Sequence, residues 1–252
     1  MIQCPSCKTR IEKSSRSCPN CAYQICDLSK GQSLSIVTAA RRPKNQCDLD
    51  FATGVDRTDS SKKFREGISK SYISIVDLVT QKVCTMRCWI QTHGDRDEGQ
   101  HEELITDGGT PEQAKEDIQK VVYGGGGPPE ENHLDGIETL LNRVPWTADP
   151  LRSRGVILGF LTAETKVAES GTTATELGSR IKEMGILLIL ICQAKPILSD
   201  LVDAAGGLMF EITNKPDQRT LESIASKIGA SIVASVASGT TIPLSGQQTQ
   251  SI

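Results

Sequence analysis

The sequence predicts a doubly wound α/β domain with a mostly parallel sheet, preceded by a small metal-binding module. From residue 47 onward, strand-like apolar runs alternate with amphipathic helical stretches, which is typical of such a domain. Two runs, GVILGFLT (155–162) and GILLILIC (185–192), are almost wholly apolar, as expected for central parallel strands that are buried on both faces. Two Cys-x-x-Cys pairs, CPSC (4–7) and CPNC (18–21), predict the metal-binding module.

The composition is that of a globular protein, with 37% hydrophobic and 23% charged residues in a chain of 252. The longest apolar run, 185–192, falls short of the roughly 18 residues of a membrane span. The N-terminus lacks the apolar core of a secretion signal, so we expect a cytoplasmic protein that does not contact a membrane. Nine cysteines in such a chain favour reduced thiols and metal binding over disulfides.

The four cysteines of the two pairs match a closed tetrahedral thiolate site, which is the pattern of structural zinc. They are Cys4, Cys7, Cys18 and Cys21. The segment 1–26 resembles a zinc ribbon, and the metal would supply folding energy that so short a segment cannot obtain from a core. A redox dithiol is the alternative, but two pairs in one short segment fit a closed site better. Residues 27–46 are expected to form a linker, with one strand at 34–40.

The charge of the chain is unevenly distributed. Residues 1–46 carry eight Lys or Arg against two Asp or Glu, and the remainder carries 20 against 29, so a basic head of +6 precedes an acidic body of −9. The basic head could contact phosphates, although little aromatic character accompanies the charge. A solvated basic loop or a protein-docking face is the interpretation we favour.

The elements of the body follow from hydrophobic periodicity and from start and stop signals. Thr110 followed by Pro111 is typical of a helix start, and the run at 101–106 is expected at a sheet edge. The polar segment 237–252 is expected to be a disordered tail, which bounds the domain at 47–236. The expected strands are 48–53, 83–91, 101–106, 155–162, 186–192 and 208–213. The expected helices are about 61–79, 110–122, 133–144, 173–184, 196–207 and 217–234.

Oxygen-bearing side chains follow three of these strands. Asp56, Thr58 and Ser60 follow the first strand; Glu130 and Glu131 end a glycine-rich loop, GGGGPPEE; and Thr162, Glu164 and Thr165 follow the strand at 155–162. Because ligands of open α/β sheets bind at the carboxyl ends of the strands, these three loops are candidates for a common site. Taken alone, the first triplet is also explained by a helix N-cap.

The order and spacing of these three loops resemble the von Willebrand factor A domain, a Rossmann-like fold, over about residues 47–235. The resemblance implies a metal-ion-dependent adhesion site that holds Mg²⁺ or Mn²⁺ through hard oxygen ligands. It assigns as ligands Asp56, Thr58, Ser60, Glu130 and Glu164, with Thr110 as an alternative in the second loop. The sequence departs from the family pattern at Gly127 and Ala163, where the family usually has aspartate.

The resemblance implies a non-enzymatic protein in which a partner's Asp or Glu carboxylate completes the metal shell. Such a partner could be an AAA+ ATPase or another member of a multi-protein system, and nucleic acid bound by the basic head is the alternative. No nucleophile–base pair is identifiable, so catalysis is not predicted. His93, His101 and His133 lack metal-ligand spacing and are assigned to a polar loop or a helix surface.

Overall fold

The structure is a computed structural model, and it describes residues 2–3, 10–11, 47–127, 130–147, 153–193, 195–212, 218–238 and 249–251. The four cysteines of the predicted zinc ribbon, Cys4, Cys7, Cys18 and Cys21, and the predicted linker lie outside these residues. The described parts of the N-terminal segment are two short strands that pair antiparallel, with Ile2 opposite Ile11 and Gln3 opposite Arg10.

Strands and helices alternate through the body as the sequence predicts. The strands are β1 (Ile2–Gln3), β2 (Arg10–Ile11), β3 (Asp48–Asp56), β4 (Met86–His93), β5 (Glu103–Gly109), β6 (Glu130–Glu131), β7 (Ser153–Leu161), β8 (Glu164–Thr165), β9 (Ile186–Cys192), β10 (Leu208–Glu211) and β11 (Thr249–Ser251). The α-helices are α1 (Asp59–Lys62), α2 (Arg65–Thr80), α3 (Pro111–Asp117), α4 (His133–Arg143), α5 (Ala174–Glu183), α6 (Pro196–Ala205) and α7 (Gln218–Ser238).

The main sheet has seven strands in the order β11-β10-β9-β7-β3-β4-β5. Its pairings are parallel except for β4 with β5, which run antiparallel, so β5 forms an edge as expected for this run. The strands β7 and β9 lie inside the sheet, and every residue of β9 is buried. A doubly wound, mostly parallel α/β sheet is therefore confirmed.

Two hydrophobic clusters, one on each face of the sheet, hold the helices in place. Because side chains alternate along a strand, Phe51 of β3 packs into one cluster and the neighbouring Ala52 into the other. The first cluster includes residues of α2, α3 and α7, and the second includes residues of α4, α5 and α6. This three-layer arrangement leaves the carboxyl ends of the parallel strands open to ligands.

Sequence signals also account for where two of the helices begin. The Thr110 hydroxyl accepts a hydrogen bond from the backbone N–H of Gln113 and Pro111 occupies the first turn, as predicted for α3. At the start of α5, Thr173 and Glu176 form a reciprocal capping box. These local contacts satisfy N–H groups that have no partner within the helix.

The ends of the predicted body differ in detail from the expectation. Helix α7 continues to Ser238, and the three residues of β11 pair in parallel with β10 at the sheet edge. Residues 239–248 of the predicted tail lie outside the described part of the chain. Over the described residues, no helix combines the length and apolar character needed to cross a bilayer.

Candidate functional site

Two adjacent parallel strands bring the first and third predicted loops together. Asp56 is the last residue of β3, and Thr162 directly follows β7, which pairs with β3. The Asp56 Oδ2 atom accepts hydrogen bonds from the Thr162 hydroxyl at 2.9 Å and from its backbone N–H at 3.3 Å. The other oxygen, Oδ1, accepts from the Thr58 hydroxyl at 2.7 Å and from its N–H at 2.9 Å. Asp56 is thus fully buried and held from both sides.

The first loop is more than a helix cap. Thr58 does occupy the N-cap position of α1, but among the described contacts its side chain makes no capping bond. Its hydroxyl donates to Asp56 and also lies 2.9 Å from the Ser60 hydroxyl. The Ser60 hydroxyl is in turn 2.9 Å from that of Thr162, and the Ser61 hydroxyl is 2.6 Å from it. Asp56, Thr58, Ser60 and Thr162 therefore form a closed ring of oxygen contacts.

Within the described residues, the ring together with the Ser61 hydroxyl has one proton fewer than its oxygen–oxygen contacts require. Four hydroxyl groups supply four protons to five oxygen–oxygen contacts. Two protons go to Asp56, so Ser60 and Ser61 supply two protons to the three remaining contacts. If Ser61 donates to Thr162, Ser60 can donate to Thr58 or to Thr162 but not to both. Two oxygen atoms about 2.9 Å apart then face each other with lone pairs, which a cation would stabilise.

Asp56 is ionised in this setting. Burial alone would raise the pKa of its carboxyl group, but His133, His93 and the hydrogen bonds from Thr58 outweigh burial and hold the pKa below the ordinary value. A buried negative charge requires compensation from hydrogen bonds or a counter-ion. The hydroxyl ring supplies part of this compensation.

The second loop contributes a buried carboxylate, Glu131. It is 3% exposed, and its Oε2 atom has no hydrogen-bond partner among the described residues. Burial, reinforced by the negative charges of Asp56 and Asp95, raises the pKa of Glu131 to about 7. Thr58 and Lys166 oppose this rise only in part, and a buried carboxylate oxygen without a partner fits a position that a cation or a proton occupies.

The glycine loop brings Glu131 close to the ring. The backbone N–H of Asp59 donates to the Gly125 carbonyl, and the N–H of Gly124 donates to the Arg57 carbonyl, both at 2.9 Å. At Gly126, which has φ of +95°, a Cβ atom would lie 3.1 Å from the Thr58 Cβ and 3.2 Å from Glu131 Oε1. The loop therefore depends on glycine where it passes between Thr58 and Glu131.

A short parallel ladder between β6 and β8 determines which predicted ligands face inward. Glu130 pairs with Glu164 and Glu131 pairs with Thr165. Because successive side chains point to opposite faces of a strand, the pair Glu130 and Glu164 is exposed while Glu131 and Thr165 are buried. Glu164 still borders the site, and its carboxylate forms an ion pair of 2.8 Å with Lys195.

The ring opens into a cleft of about 480 Å³. It is lined by residues of all three loops and by Lys195, among them Thr58, Ser60, Glu131, Thr162 and Glu164. Asp56, Thr58 and Ser60 are brought together as the resemblance implies, whereas the exposed Glu130 lies outside this lining. Over the described residues, no cluster of three or more His, Cys, Asp or Glu side chains could hold a metal. A cation here would depend on hydroxyl oxygens together with one or two carboxylates, which suits Mg²⁺ or Mn²⁺.

The structure does not bring Thr110 to this site. Thr110 follows β5, whose last residue, Gly109, pairs with Cys88 near the start of β4. Because β5 runs antiparallel to β4, its carboxyl end lies where the parallel strands begin. The carboxyl ends of β3 and β7 are at the other end of the strands. The Thr110 hydroxyl caps α3 instead.

The assignment of His93 and His133 to a loop or helix surface is wrong. Both side chains are fully buried, and His133 Nε2 lies 4.0 Å from Asp56 Oδ2. Their positions in the fold could have indicated that they lie near the site. His93 ends a strand adjacent to β3, and His133 begins the helix after the glycine loop. Periodicity gave no indication that a glycine, Gly136, leaves room for a buried ring.

Comparisons with known proteins show the fold. No family model matches the chain, and no curated protein matches it in sequence. Among solved structures, the SpRpn10 VWA domain is similar with a TM-score of 0.57 at 14% identity, covering 72% of this chain and 96% of that one. Proximal thread matrix protein 1 from the mussel byssus is similar with a TM-score of 0.52 at 14% identity, covering 73% of this chain but only 46% of that one. The fold of this chain is therefore the α/β fold of a von Willebrand factor A domain.

Proposed function

We propose that this chain is a non-enzymatic binding protein that recognises another protein through a divalent cation, Mg²⁺ or Mn²⁺, held at the cleft. The observation that carries this proposal is the proton shortage in the hydroxyl ring of Asp56, Thr58, Ser60 and Thr162. A cation attracts the lone pairs of these oxygens, and the buried Glu131 adds a second negative charge. These residues would hold the ion.

The partner would supply an Asp or Glu carboxylate to the cation. The cleft is open to solvent at the ring, so a carboxylate of a partner could reach a cation held there. The partner could be an AAA+ ATPase or another member of a multi-protein assembly, an inference that rests on the family resemblance alone.

A peptide selection tests carboxylate recognition directly. Peptides displayed on phage are selected on the Mn²⁺-loaded protein and eluted with EDTA. The proposal predicts that the eluted peptides share an Asp or Glu and that replacing it with Asn or Gln abolishes binding. Cation-independent binding, or enriched peptides without an acidic residue, would contradict it.

The ligand set can be tested with three matched variants: Glu131→Gln, Glu130→Gln and Glu164→Gln. If Glu131 holds the cation, its substitution weakens Mn²⁺ binding by roughly tenfold or more, because a buried ionised oxygen is lost. The exposed Glu130 serves as the control. A larger effect at Glu164 than at Glu131 would assign the ligand to the third loop.

We propose further that Cys4, Cys7, Cys18 and Cys21 hold a structural zinc ion, and that the ribbon they form is a docking module. The proposal rests on the spacing of the two Cys-x-x-Cys pairs. Elemental analysis of the purified protein should find one zinc per chain, and Cys4→Ser together with Cys7→Ser should remove it. A zinc-free wild type with an intact ribbon would contradict this assignment.

A second candidate function is nucleic-acid association through the basic ribbon, with the A domain as scaffold. The net charge of +6 over residues 1–46 favours it. Binding to a random duplex should then weaken steeply as salt increases, because counterions are released on binding. Binding that is unaffected by salt, or no binding, would remove this candidate.

A further inference from the structure

Two buried imidazole rings lie next to the candidate cation site. His93 ends β4 and His133 begins α4, and both are fully buried. The His93 Nε2 atom lies 3.1 Å from His133 Nδ1, and the rings meet edge to face with centroids 5.3 Å apart. The far nitrogen of His133, Nε2, lies 4.0 Å from Asp56 Oδ2. The three side chains form a continuous polar row from the core to the ring of hydroxyls.

The glycine at position 136 makes room for this row. A Cβ atom at Gly136 of α4 would lie 2.7 Å from His93 Cγ, which is closer than real contacts allow. At Gly54 of β3, a Cβ atom would lie 3.7 Å from His93 Cε1, an ordinary contact. A larger residue at Gly136 would therefore displace the His93 ring from its position beside His133.

The hydrogen bond between the rings needs one proton, which lies either on His133 Nδ1 or on His93 Nε2. Full burial favours a single proton on each ring, so the pair has only these two arrangements.

The surroundings distinguish the two arrangements. If His133 donates from Nδ1, its Nε2 lone pair faces the Asp56 carboxylate, and the proton of His93 is left on Nδ1, which has no partner among the described residues. If His93 donates from Nε2, the proton of His133 is on Nε2 and faces the negative charge of Asp56. Each arrangement leaves one buried N–H without a hydrogen-bond partner among the described residues, but only the second turns a proton rather than a lone pair toward the Asp56 carboxylate.

We propose that His133 is a positioning residue that directs an Nε2–H group at Asp56 and so fixes this carboxylate for cation binding. The Oδ2 side of Asp56 is the one that needs such support. Its two donors from Thr162 lie at 2.9 and 3.3 Å, whereas the donors to Oδ1 lie at 2.7 and 2.9 Å. His93 sets the tautomer of His133 in the way that outer-shell partners commonly orient ligands. This inference rests on the proposed function.

The tautomer can be measured without any cation. The chain has three histidines, so imidazole-¹⁵N labelling gives a simple long-range ¹H–¹⁵N spectrum. Assignment by His93→Gln and His101→Gln leaves the signals of His133. The inference predicts protonation at His133 Nε2 in the wild type. Protonation at His133 Nδ1 would overturn it.

The effect on the site is tested by Mn²⁺ titration of three variants. His133→Leu removes the donor and should weaken binding by about tenfold or more, as the loss of a group that orients a metal ligand does. His133→Gln keeps an N–H at the equivalent place and should bind within about threefold of the wild type. His101→Leu, at an exposed histidine, is the matched control and should bind unchanged.

Thermal unfolding of the same variants separates positioning from a structural role. His133→Leu removes the Nδ1 atom that accepts from His93, so its unfolding temperature should fall, and a positioning role predicts that its Mn²⁺ affinity falls as well. A lower unfolding temperature with unchanged Mn²⁺ affinity would overturn the inference while the proposed function stands. If the wild type itself takes up no cation, the proposed function fails and this inference fails with it. If His133→Leu does not fold, the tautomer of His133 measured in the wild type still tests the inference.

Discussion

Thr162 and Asp56 are separated by 106 positions in the chain, yet two hydrogen bonds join Thr162 to the Asp56 carboxylate. The adjacent parallel strands β3 and β7 end side by side and place the two residues together. Thr58 holds the opposite oxygen of the same carboxylate. The centre of the site is thus assembled by the sheet, with the loops completing it.

Thr162→Val tests the contribution of this hydroxyl. The change keeps the shape of the side chain but removes contacts to Asp56, Ser60 and Ser61, so we expect a loss of roughly 1–2 kcal/mol in the free energy of unfolding. Cation affinity should fall by about tenfold, because an oxygen of the ring is lost. Denaturant unfolding and Mn²⁺ titration measure the two effects.

Thr165→Val is the matched control for that variant. Thr165 is also buried, and its hydroxyl accepts from the Leu134 N–H at 3.2 Å and donates to the Lys166 carbonyl at 3.1 Å. We expect a similar loss of stability with unchanged cation affinity. Equal effects of both variants on affinity would argue against a specific role of Thr162.

Gly126→Ala tests the close approach of the glycine loop. The new Cβ atom would crowd Thr58 and Glu131 and would also occupy a positive φ. Gly99→Ala is the control, because Gly99 has φ of +74° but open space around the Cβ position. Both variants should lose about 1 kcal/mol of stability from the backbone conformation, and Gly126→Ala should lose more and bind Mn²⁺ more weakly. Equal losses of stability and equal Mn²⁺ affinities of the two variants would contradict the predicted crowding at Gly126.

Glu131 should make the cation-free protein less stable as the pH rises. Its pKa is about 7 in the folded state against an ordinary value of 4.5. The stabilising contribution of the protonated group is complete below about pH 4.5 and is lost as the pH rises through about 7. Urea unfolding in EDTA should therefore show Glu131→Gln gaining stability relative to the wild type between these pH values. If the unfolding free energies of the wild type and Glu131→Gln changed in parallel with pH, the raised pKa of Glu131 would be contradicted.

The histidine pair should destabilise the protein in acid. The folded-state pKa of His93 is about 4 against an ordinary 6.5, and that of His133 is also lowered. The stability contribution is therefore present above about pH 6.5 and is lost as the pH falls toward about 4. Between about pH 7 and pH 5 we expect the wild type to lose roughly 1–2 kcal/mol more than His93→Gln. Equal losses of stability in the wild type and in His93→Gln would contradict a lowered pKa of His93.

The fold was largely predictable because its signals are local. Thr110 with Pro111 marks the start of α3, and the apolar run of β9 marks a central strand. The fold class is confirmed, and the first loop of the site lies at the strand end where the sequence places it. The helix expected over 61–79 is divided in two, with Phe64 as the N-cap of α2, because a short turn follows the site.

The rest of the site depends on contacts that a single sequence does not display. Whether Glu130 or Glu131 points inward depends on the pleat of β6, which is set by its pairing with β8 rather than by local pattern. Likewise, the sequence alone predicts that a single histidine in a polar segment is exposed. Only the packing of His93 against Gly136 and beside His133 shows why both rings are buried.

The most direct test of the account is a calorimetric titration of the wild type and of Asp56→Asn with Mn²⁺, after removal of bound metals by EDTA. The substitution retains the size of the side chain but removes the ionised carboxylate that the ring surrounds. We expect saturable binding to the wild type and none to Asp56→Asn, with circular dichroism showing both to be folded. No binding to the wild type, or equal binding to both proteins, would contradict a cation site at this cleft.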